Sequence, residues 1–472
     1  MINYISTRGK NEEPQTFEDV LVAGLAPDGG LYVPQTLPHF DHEDLVVLKG
    51  KSYAEIAEEV MYPFVEGCIT REHLHEMIEE TYGPTNFRSD KVVPLHKLYD
   101  NFYALELFHG PTIAFKDVAL QLLGRLFDHV LSRRGQHVTI VGATSGDTGS
   151  AAIEGCRHSD HVDIFILHPH GRVSDVQRKQ MTTVKAPNVH NIALEGNFDD
   201  CQSAVKEMFG DANFRREINL SAINSINWAR IMAQIVYYFT SALALGAPEK
   251  EVSFVVPTGN FGNVFAAYTA RKMGLPIKTL GIATNKNDIL TRFFATGEMK
   301  MQGVEPSLSP SMDIQISSNF ERYLFDLLGR DSQKVTEVMQ AFKATGSFYL
   351  LPDLLQQARD DFKAFRTDEA GTLATIQKVY EETGYILDPH TAVGVAGVLA
   401  MAQDVKGPIV SLACAHPAKF PDAVEKAIGI RPYLPDHLSD LFEKEEHVDV
   451  LPNNLSRLQD FIRKQRHNKV AA

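Results

Sequence analysis

The stretch "HVTIVGATSGDTGSAAIEGC", residues 137–156, decides the fold. Its β-branched run at 138–141 predicts a buried strand, the glycines after it predict a tight turn, and the small residues beyond predict a helix start. A second stretch, "EVSFVVPTGNFGNVFAAYTARKMG" (251–274), repeats the order of strand, glycine-rich turn and helix. We therefore predict an α/β fold with mostly parallel sheets, which bind ligands at the carboxyl ends of their strands.

The same pattern extends over most of the chain, which we divide into three parts. Residues 1–95 form a mixed α/β domain with helices predicted at 52–65 and 70–83, the second opened by Thr70 as N-cap. Residues 96–430 alternate strands and helices. The further strands predicted there are "HVDIFILHP" (161–169), "NVHNIALEG" (188–196), "IKTLGIATN" (277–285) and "PIVSLACAHPAKF" (408–420). Residues 431–472 form a tail that ends in a basic amphipathic helix.

Composition excludes several classes of protein. The 472 residues carry a net charge of −14, which argues against a nucleic-acid or anionic-membrane surface. No apolar run reaches the roughly 18 residues of a membrane span, and the N-terminus lacks the form of a signal peptide. The four cysteines show no metal-ligand spacing. His168 and His170 could bind a metal, but we favour a loop or surface position for them. We expect a soluble cytoplasmic protein without a metal site.

Two glycine-rich turns, at 141–152 and 256–267, are candidate anion sites. Small residues let a ligand approach the backbone, and the first-turn amides of the following helix point towards it. The spacing matches neither GxGxxG nor a P-loop, and tight turns without a ligand are the alternative. A third candidate is "INSINWARI" (223–231), where Asn224, Ser225 and Asn227 offer polar groups before a helix and Arg230 lies in its first turn. Asn224 or Ser225 could simply cap that helix, which would explain one of the four polar residues.

Lys116 lies in "HGPTIAFKD" (109–117) and poses a physical problem. A helical projection aligns it with an apolar stripe, Leu120, Leu123, Phe127 and Val130. Another face is polar, with Asp117, Gln121, Arg125 and Asp128. A buried lysine is costly unless it is paired, neutral or covalently modified. It could extend its ammonium to solvent from the start of the helix, or pair with a buried carboxylate such as Glu106 or Asp117. Alternatively, it could bind the aldehyde of pyridoxal phosphate (PLP), whose phosphate would need an anion site.

Beyond these patterns, the chain resembles the bacterial and fungal branch of the threonine synthase family, which is fold-type II and related to tryptophan synthase β. "HGPTIAFKD" is similar to the cofactor-lysine motif of that family. The other matching motifs, in the family's order, are "STRG", "GLAPDGGLYVP", "GATSGDTGSAA", "GRVSDVQRKQM", "NSINWARI", "GNFGN", "SPSMDIQISSNFER", "LDPHTAVG" and "AHPAKFPDAV". The resemblance implies a threonine-synthase-type domain at 1–95 and a PLP-dependent core at 96–430, with the cofactor between two subdomains.

The implied reaction is the last step of threonine biosynthesis, in which a carbon–oxygen lyase converts O-phospho-L-homoserine and water to L-threonine and phosphate by γ-elimination and β-addition. The resemblance makes Lys116 the Schiff-base lysine and proton carrier. Asp147 would face the cofactor's 3′-oxygen. The implied phosphate cradle is Gly259, Asn260, Phe261, Gly262 and Asn263. The implied ligands of the substrate carboxylate are Thr144, Ser145 and Thr148, and those of its phosphate are Asn224, Ser225 and Arg230.

Cys414 departs from the family pattern, which usually has a threonine before "AHPAKF". A thiol bonds hydrogen more weakly than a hydroxyl, so its contact with the pyridine nitrogen is in doubt, and simple packing is the alternative. Three rival functions stay open: a phospho-lyase that releases 2-oxobutyrate, a β-replacement enzyme such as a cysteine synthase, and a non-enzymatic binder of an anionic metabolite. We expect a small-molecule substrate and a monomer, with a weak dimer as the alternative.

Overall fold

The computed structural model describes residues 1–9, 13–144, 146–221, 225–402 and 405–466. Its strands are β1 (Tyr4–Ser6), β2 (Tyr32–Pro34), β3 (Leu95–Tyr99), β4 (Phe102–Glu106), β5 (Val138–Ala143), β6 (Val162–Pro169), β7 (Val189–Glu195), β8 (Leu220–Ser221), β9 (Val252–Pro257), β10 (Ile277–Thr284), β11 (Glu298–Lys300), β12 (Ser347–Tyr349), β13 (Phe362–Arg366), β14 (Ile409–Ala413) and β15 (Asp449–Pro452).

The helices are α1 (Phe17–Ala23), α2 (His42–Leu48), α3 (Tyr53–Val65), α4 (Arg71–Tyr82), α5 (Lys116–Arg134), α6 (Asp147–Cys156), α7 (Asp175–Thr182), α8 (Phe198–Gly210), α9 (Ala212–Glu217), α10 (Trp228–Ala244), α11 (Gly262–Lys272), α12 (Ile289–Thr296), α13 (Phe320–Leu327), α14 (Ser332–Thr345), α15 (Pro352–Asp361), α16 (Glu369–Thr383), α17 (Pro389–Met401), α18 (Pro421–Ile428) and α19 (Leu455–Gln465). Short 3-10 turns lie at Pro310–Met312, Pro417–Lys419 and Asp436–Leu438. Among the described helices, none is long and apolar enough to cross a membrane.

The chain forms two compact units, each made from separate stretches of sequence. Unit 1 comprises Met1–Val20, Leu25–Phe115 and Ser225–Tyr433, and unit 2 comprises Leu21–Gly24, Lys116–Asn224 and Leu434–Ala472. The main sheet of unit 1 has the order β13-β10-β9-β14-β4-β3. Its neighbours are parallel except for the antiparallel pair β3 and β4 at one edge. Strand β9 is buried along its whole length, as expected for a central strand with both faces covered.

The sheet of unit 2 has the order β15-β7-β6-β5-β8, and all its neighbouring strands are parallel. Its hydrophobic core includes Phe165 and Leu167 of β6 together with Leu458 and Ile462 of α19. The C-terminal segment therefore contributes both a strand and core side chains to this unit. The alternating pattern of the sequence correctly predicted an α/β fold with mostly parallel sheets.

Helix starts in the N-terminal region agree with their capping signals. Ser52 caps α3 through a capping box with Glu55, and the predicted N-cap Thr70 accepts a hydrogen bond from the His73 amide at the start of α4. These side chains satisfy amides that the first helical turn leaves without partners. Both predicted helices are confirmed. They could be predicted because their start signals are local in sequence.

The polar face predicted on α5 is buried over the first two turns of the helix. Asp117 and Gln121, which belong to that face, have exposed fractions of 0% and 4%. The helix is buried almost all round from Lys116 to Gly124. A helical projection gives the spacing of side chains but does not show which faces of the helix other elements cover. In this structure α6 packs against α5 on a side other than its apolar stripe.

Gly124 shows how closely α5 and α6 approach. A Cβ atom added to Gly124 would lie 1.8 Å from the carbonyl oxygen of Gly155, and one added to Gly155 would lie 2.3 Å from that of Leu120. Since backbone cannot move as a flexible side chain can, we expect Gly124→Ala to lower the free energy of unfolding by about 2–3 kcal/mol. Urea denaturation measures this. The control is Gly210→Ala, where the added methyl meets nothing within 4 Å; equal losses in the two variants would contradict the prediction.

Candidate active site

Lys116 is the first residue of α5 and is 7% exposed. Its Nζ donates a hydrogen bond to Oδ2 of Asp147 at 3.2 Å, so a buried carboxylate faces the buried ammonium. Such pairing offsets part of the cost of removing both charges from water. Of the carboxylates suggested by sequence, Glu106 binds His109 Nε2 at 2.7 Å and the Tyr385 hydroxyl at 2.9 Å. The ion pair at the lysine thus comes from the glycine-rich turn.

Asp147 begins α6, and its turn is held by Thr144. The Oγ1 atom of Thr144 accepts hydrogen bonds from the amides of Gly146 and Gly149, each at 3.0 Å. Thr144 therefore closes this turn, and its own hydroxyl hydrogen can still be donated to an anion. Thr148 is half-buried in the first turn of α6. Ser145 lies outside the described residues.

The turn between β9 and α11 has the form of an anion cradle. Phe261, the N-cap of α11, has a left-handed backbone with φ of 64° and makes no side-chain capping bond. The first-turn amides of Gly262 and Asn263 are consequently not satisfied by a capping group. A Cβ at Gly259 would lie 3.0 Å from the carbonyl oxygen of Ser311, so glycine permits the close packing of this turn. The helix dipole adds to the attraction for an anion.

Asn319 links this turn to the segment before α10. Its Nδ2 donates to the carbonyl oxygens of Ser225 and Asn260, each at 3.0 Å. Arg322 fixes the same region from α13, since its Nη2 donates to the Ile226 carbonyl at 2.5 Å, and its Nε donates to the Tyr32 carbonyl at 3.0 Å. Sequence reasoning missed Asn319 as a functional residue, because a single asparagine in "SSNFER" carries no local signal of such a contact.

Arg230 is buried in the first turn of α10 and is 4% exposed. Among the residues that the structure describes, neither its Nε nor its Nη1 has a hydrogen-bond partner. Burial disfavours the charged form and lowers the pKa of Arg230 to about 10, so the guanidinium remains charged at neutral pH. A buried cation with unused donors in a planar fork suits a phosphate or carboxylate.

The capping alternative for the segment before α10 is wrong for Ser225. Asn227 caps the helix by accepting from the Ala229 amide at 3.0 Å, so Ser225 is not needed as its cap. Asn224 lies outside the described residues. Capping of α10 therefore accounts for neither Ser225 nor Arg230. The segment before α10 is also joined to the cradle turn through Asn319.

Asn263 and Cys414 complete the candidate residues in unit 1. The hydroxyls of Tyr237 and Tyr238 donate to Oδ1 of Asn263 at 2.5 and 2.7 Å, and its buried Nδ2 has no partner within the described residues. The amide of Cys414 donates to Thr391 Oγ1 at 3.1 Å, and its Sγ lies 3.7 Å from the Leu412 carbonyl. The hydrogen bond to Thr391 fixes the backbone at Cys414, and the contact of its thiol with the Leu412 carbonyl is weak.

The expected loop or surface position of His168 is wrong. His168 lies in β6 with an exposed fraction of 2%, and desolvation by burial lowers its pKa. Within the described ranges, no group of three or more His, Cys, Asp and Glu residues is placed to hold a metal.

Comparisons with known proteins decide the family. Three family models match: "Threonine synthase N terminus" at 3–82, "Pyridoxal-phosphate dependent enzyme" at 78–348 and "Threonine synthase, C-terminal" at 391–462. The threonine synthase of Pseudomonas aeruginosa is 56% identical, with 98% of each chain covered. The chain belongs to the threonine synthase family. It shares 44% identity with the threonine synthase of Saccharomyces cerevisiae, covering 98% of this chain and 94% of the yeast protein.

Structural comparison agrees with the threonine synthase assignment. The PLP-bound threonine synthase from Brucella melitensis is 52% identical with a TM-score of 0.96, covering 98% of this chain and 99% of that chain. The predicted fold-type II class, the PLP cofactor and the PLP-dependent lyase class are confirmed. Each unit has residues that fit one group of the cofactor. In unit 2 the buried Lys116 could bind an aldehyde, and in unit 1 the α11 turn offers a phosphate backbone donors without capping partners.

Proposed function

We propose that this threonine synthase family member converts O-phospho-L-homoserine and water to L-threonine and phosphate, as the last step of threonine biosynthesis. The observation that carries the proposal is Arg230, a buried guanidinium whose Nε and Nη1 have no partner among the described residues. Removing such a charge from water costs free energy, and a bound ligand of opposite charge would offset that cost. A phosphorylated amino acid would supply that charge.

Each candidate residue takes one role in this proposal. When PLP is bound, Lys116 would hold its aldehyde covalently and Asp147 would face its 3′-oxygen. The remaining assignments are Gly259, Asn260, Phe261, Gly262 and Asn263 to the cofactor phosphate, Cys414 to the pyridine nitrogen, Thr144, Ser145 and Thr148 to the substrate carboxylate, and Asn224, Ser225 and Arg230 to the substrate phosphate. The unused donors on Arg230 and the uncapped first turn of α11 support these roles.

In the proposed mechanism, Arg230 binds the substrate phosphate and Lys116 transfers protons. When bound, the cofactor acts as an electron sink for negative charge at the substrate's α-carbon. Lys116, once its amine is free, removes the α-proton as a general base and returns protons later. Arg230 stabilises the phosphate as the γ carbon–oxygen bond breaks and its charge develops. A β-proton is also removed so that this bond can break, and a proton is later added at the γ-carbon, which becomes the methyl group. Water supplies a hydroxyl group at the β-carbon and its other proton leaves with the phosphate, while the α-carbon regains a proton from Lys116.

A product assay tests the proposal. The purified protein is loaded with PLP and incubated with O-phospho-L-homoserine, and we expect L-threonine and inorganic phosphate in equal amounts. The phospho-lyase alternative would instead release phosphate with 2-oxobutyrate. A keto acid without threonine, or no phosphate release at all, would show that the proposed reaction is wrong.

We further propose a cytoplasmic enzyme that is a monomer, with a weak dimer as the alternative, and we retain the division into 1–95, 96–430 and 431–472. The expected reducing compartment agrees with the four free cysteines among the described residues. Light scattering over a range of protein concentrations would measure the mass in solution and separate monomer from dimer.

A further inference from the structure

Gln177, in the first turn of α7, contacts the partner of the buried lysine. Its Nε2 donates to Oδ1 of Asp147 at 2.8 Å, and the contact is buried. The other carboxylate oxygen, Oδ2, accepts from Lys116 at 3.2 Å. The two oxygens of one carboxylate are thus held from two sides, and the carboxylate plane is fixed between an amide and an ammonium.

The orientation of the Gln177 amide is itself fixed. Ser174, the N-cap of α7, donates from Oγ to Gln177 Oε1 at 2.9 Å, so the nitrogen of the amide must face Asp147. A Cβ added to Gly146 would lie 2.4 Å from Cδ of Gln177. Glycine at 146 therefore lets the amide lie flat against the turn that carries Asp147. A side chain that only filled space would not need this orientation.

Helix α7 is anchored at its far end by the C-terminal segment. Thr182 Oγ1 donates to Glu446 Oε2 at 2.7 Å, and its carbonyl accepts from the His447 amide at 2.6 Å. Arg178 forms an ion pair with Glu446. These contacts hold α7 at a defined place within unit 2, and Gln177 projects from a helix that cannot shift easily.

We propose that Gln177 is a positioning residue that acts through Asp147 on Lys116. By fixing Oδ1, it keeps Oδ2 directed at the lysine and holds the amine where the cofactor aldehyde is captured. This inference rests on the proposed role of Lys116. Gln177 touches neither the amine nor, in the roles assigned above, the cofactor, and its effect passes through the carboxylate.

The test is Gln177→Glu, which keeps the shape of the side chain and replaces the donor by an acceptor. Two carboxylates 2.8 Å apart repel each other, so Asp147 turns away or takes up a proton. We expect the dissociation constant for PLP, measured by visible absorbance without substrate, to rise at least about tenfold. Ser174→Ala removes the hydrogen bond that orients the amide, together with the N-cap of α7, and should raise this dissociation constant about two- to fivefold.

A double variant separates positioning from general damage. In Gln177→Glu/Asp147→Asn the new amide can donate to the new carboxylate, so the hydrogen bond is restored with its direction reversed. We expect the dissociation constant for PLP in the double variant to be clearly lower than the value obtained by multiplying the two single fold-increases. Asp175→Asn is the matched control, since Asp175 lies on the same helix but is exposed; it should bind PLP like the wild type.

Three results would overturn the inference. They are single effects that simply multiply in the double variant, a Gln177→Glu protein that binds PLP like the wild type, and a Ser174→Ala protein that folds normally and is unaffected. These outcomes leave the product assay with O-phospho-L-homoserine unchanged in the wild type. A wild type that shows no visible absorbance with PLP would instead overturn the role of Lys116, and this inference with it.

Discussion

Lys116→Ala is expected to abolish both the visible absorbance of the PLP-loaded protein and its turnover. The substitution removes the only atom that Lys116 could use to bind the aldehyde, and it removes the proposed proton carrier as well. A nucleophile and base in one residue cannot be replaced by water at a useful rate, so we expect turnover to fall by at least about 10⁴-fold. Absorbance spectra and the threonine assay measure the two effects separately.

The matched control for Lys116 is arginine. Lys116→Arg keeps a cation beside Asp147, whose Oδ2 accepts from the lysine at 3.2 Å, but a guanidinium does not form the covalent bond. We expect its thermal unfolding to stay close to that of the wild type while the absorbance is lost. If either variant retained wild-type turnover, Lys116 would have no place in the chemistry.

Arg230→Met is expected to have opposite effects on activity and stability. Methionine is unbranched and apolar, so it can fill the buried volume without a charge that has to be removed from water. We expect KM for phosphohomoserine to rise about 100-fold or more, because truncating one partner of a buried ion pair costs roughly 3–5 kcal/mol. The midpoint of thermal unfolding of the ligand-free protein should rise by about 1–3 °C.

Inorganic phosphate and a second buried arginine provide the controls. Phosphate should raise the unfolding midpoint of the wild type but not that of Arg230→Met. Arg322 is also buried, yet it donates to the Tyr32 carbonyl at 3.0 Å and to the Ile226 carbonyl at 2.5 Å. Arg322→Met should therefore destabilise the protein by leaving these acceptors without partners. Destabilisation of both variants to the same extent would remove the case for an anion site at Arg230.

Sequence patterns predicted the features whose causes are local. Strand runs, glycine-rich turns and the N-cap Thr70 each depend on a few adjacent residues, and the structure has them where the sequence places them. Lys116 was identified as unusual from helical spacing alone, although the spacing did not identify Asp147 as its partner. The family motifs, rather than any single pattern, pointed to the cofactor.

Features that depend on distant contacts could not be predicted in this way. The burial of Asp117 and His168 results from elements that pack against them from elsewhere in the chain. Asn319 is another case, since its bond to Ser225 spans 94 positions. Gln177 carried a partial signal, because Ser174 and Gln177 have the S-x-x-Q spacing of a capping box. That pattern explains a helix start and gives no information about Asp147.

The order of the strands in unit 2 has a consequence for how the protein is made. Strand β7 ends at Glu195, but its outer neighbour β15 ends at Pro452. At about 5–20 residues per second, the ribosome needs on the order of 20 s to synthesise the intervening chain. During that time the open edge of β7 can pair with a strand of another nascent chain. This edge of β7 is covered within unit 2 only after β15 has been synthesised and has paired with it.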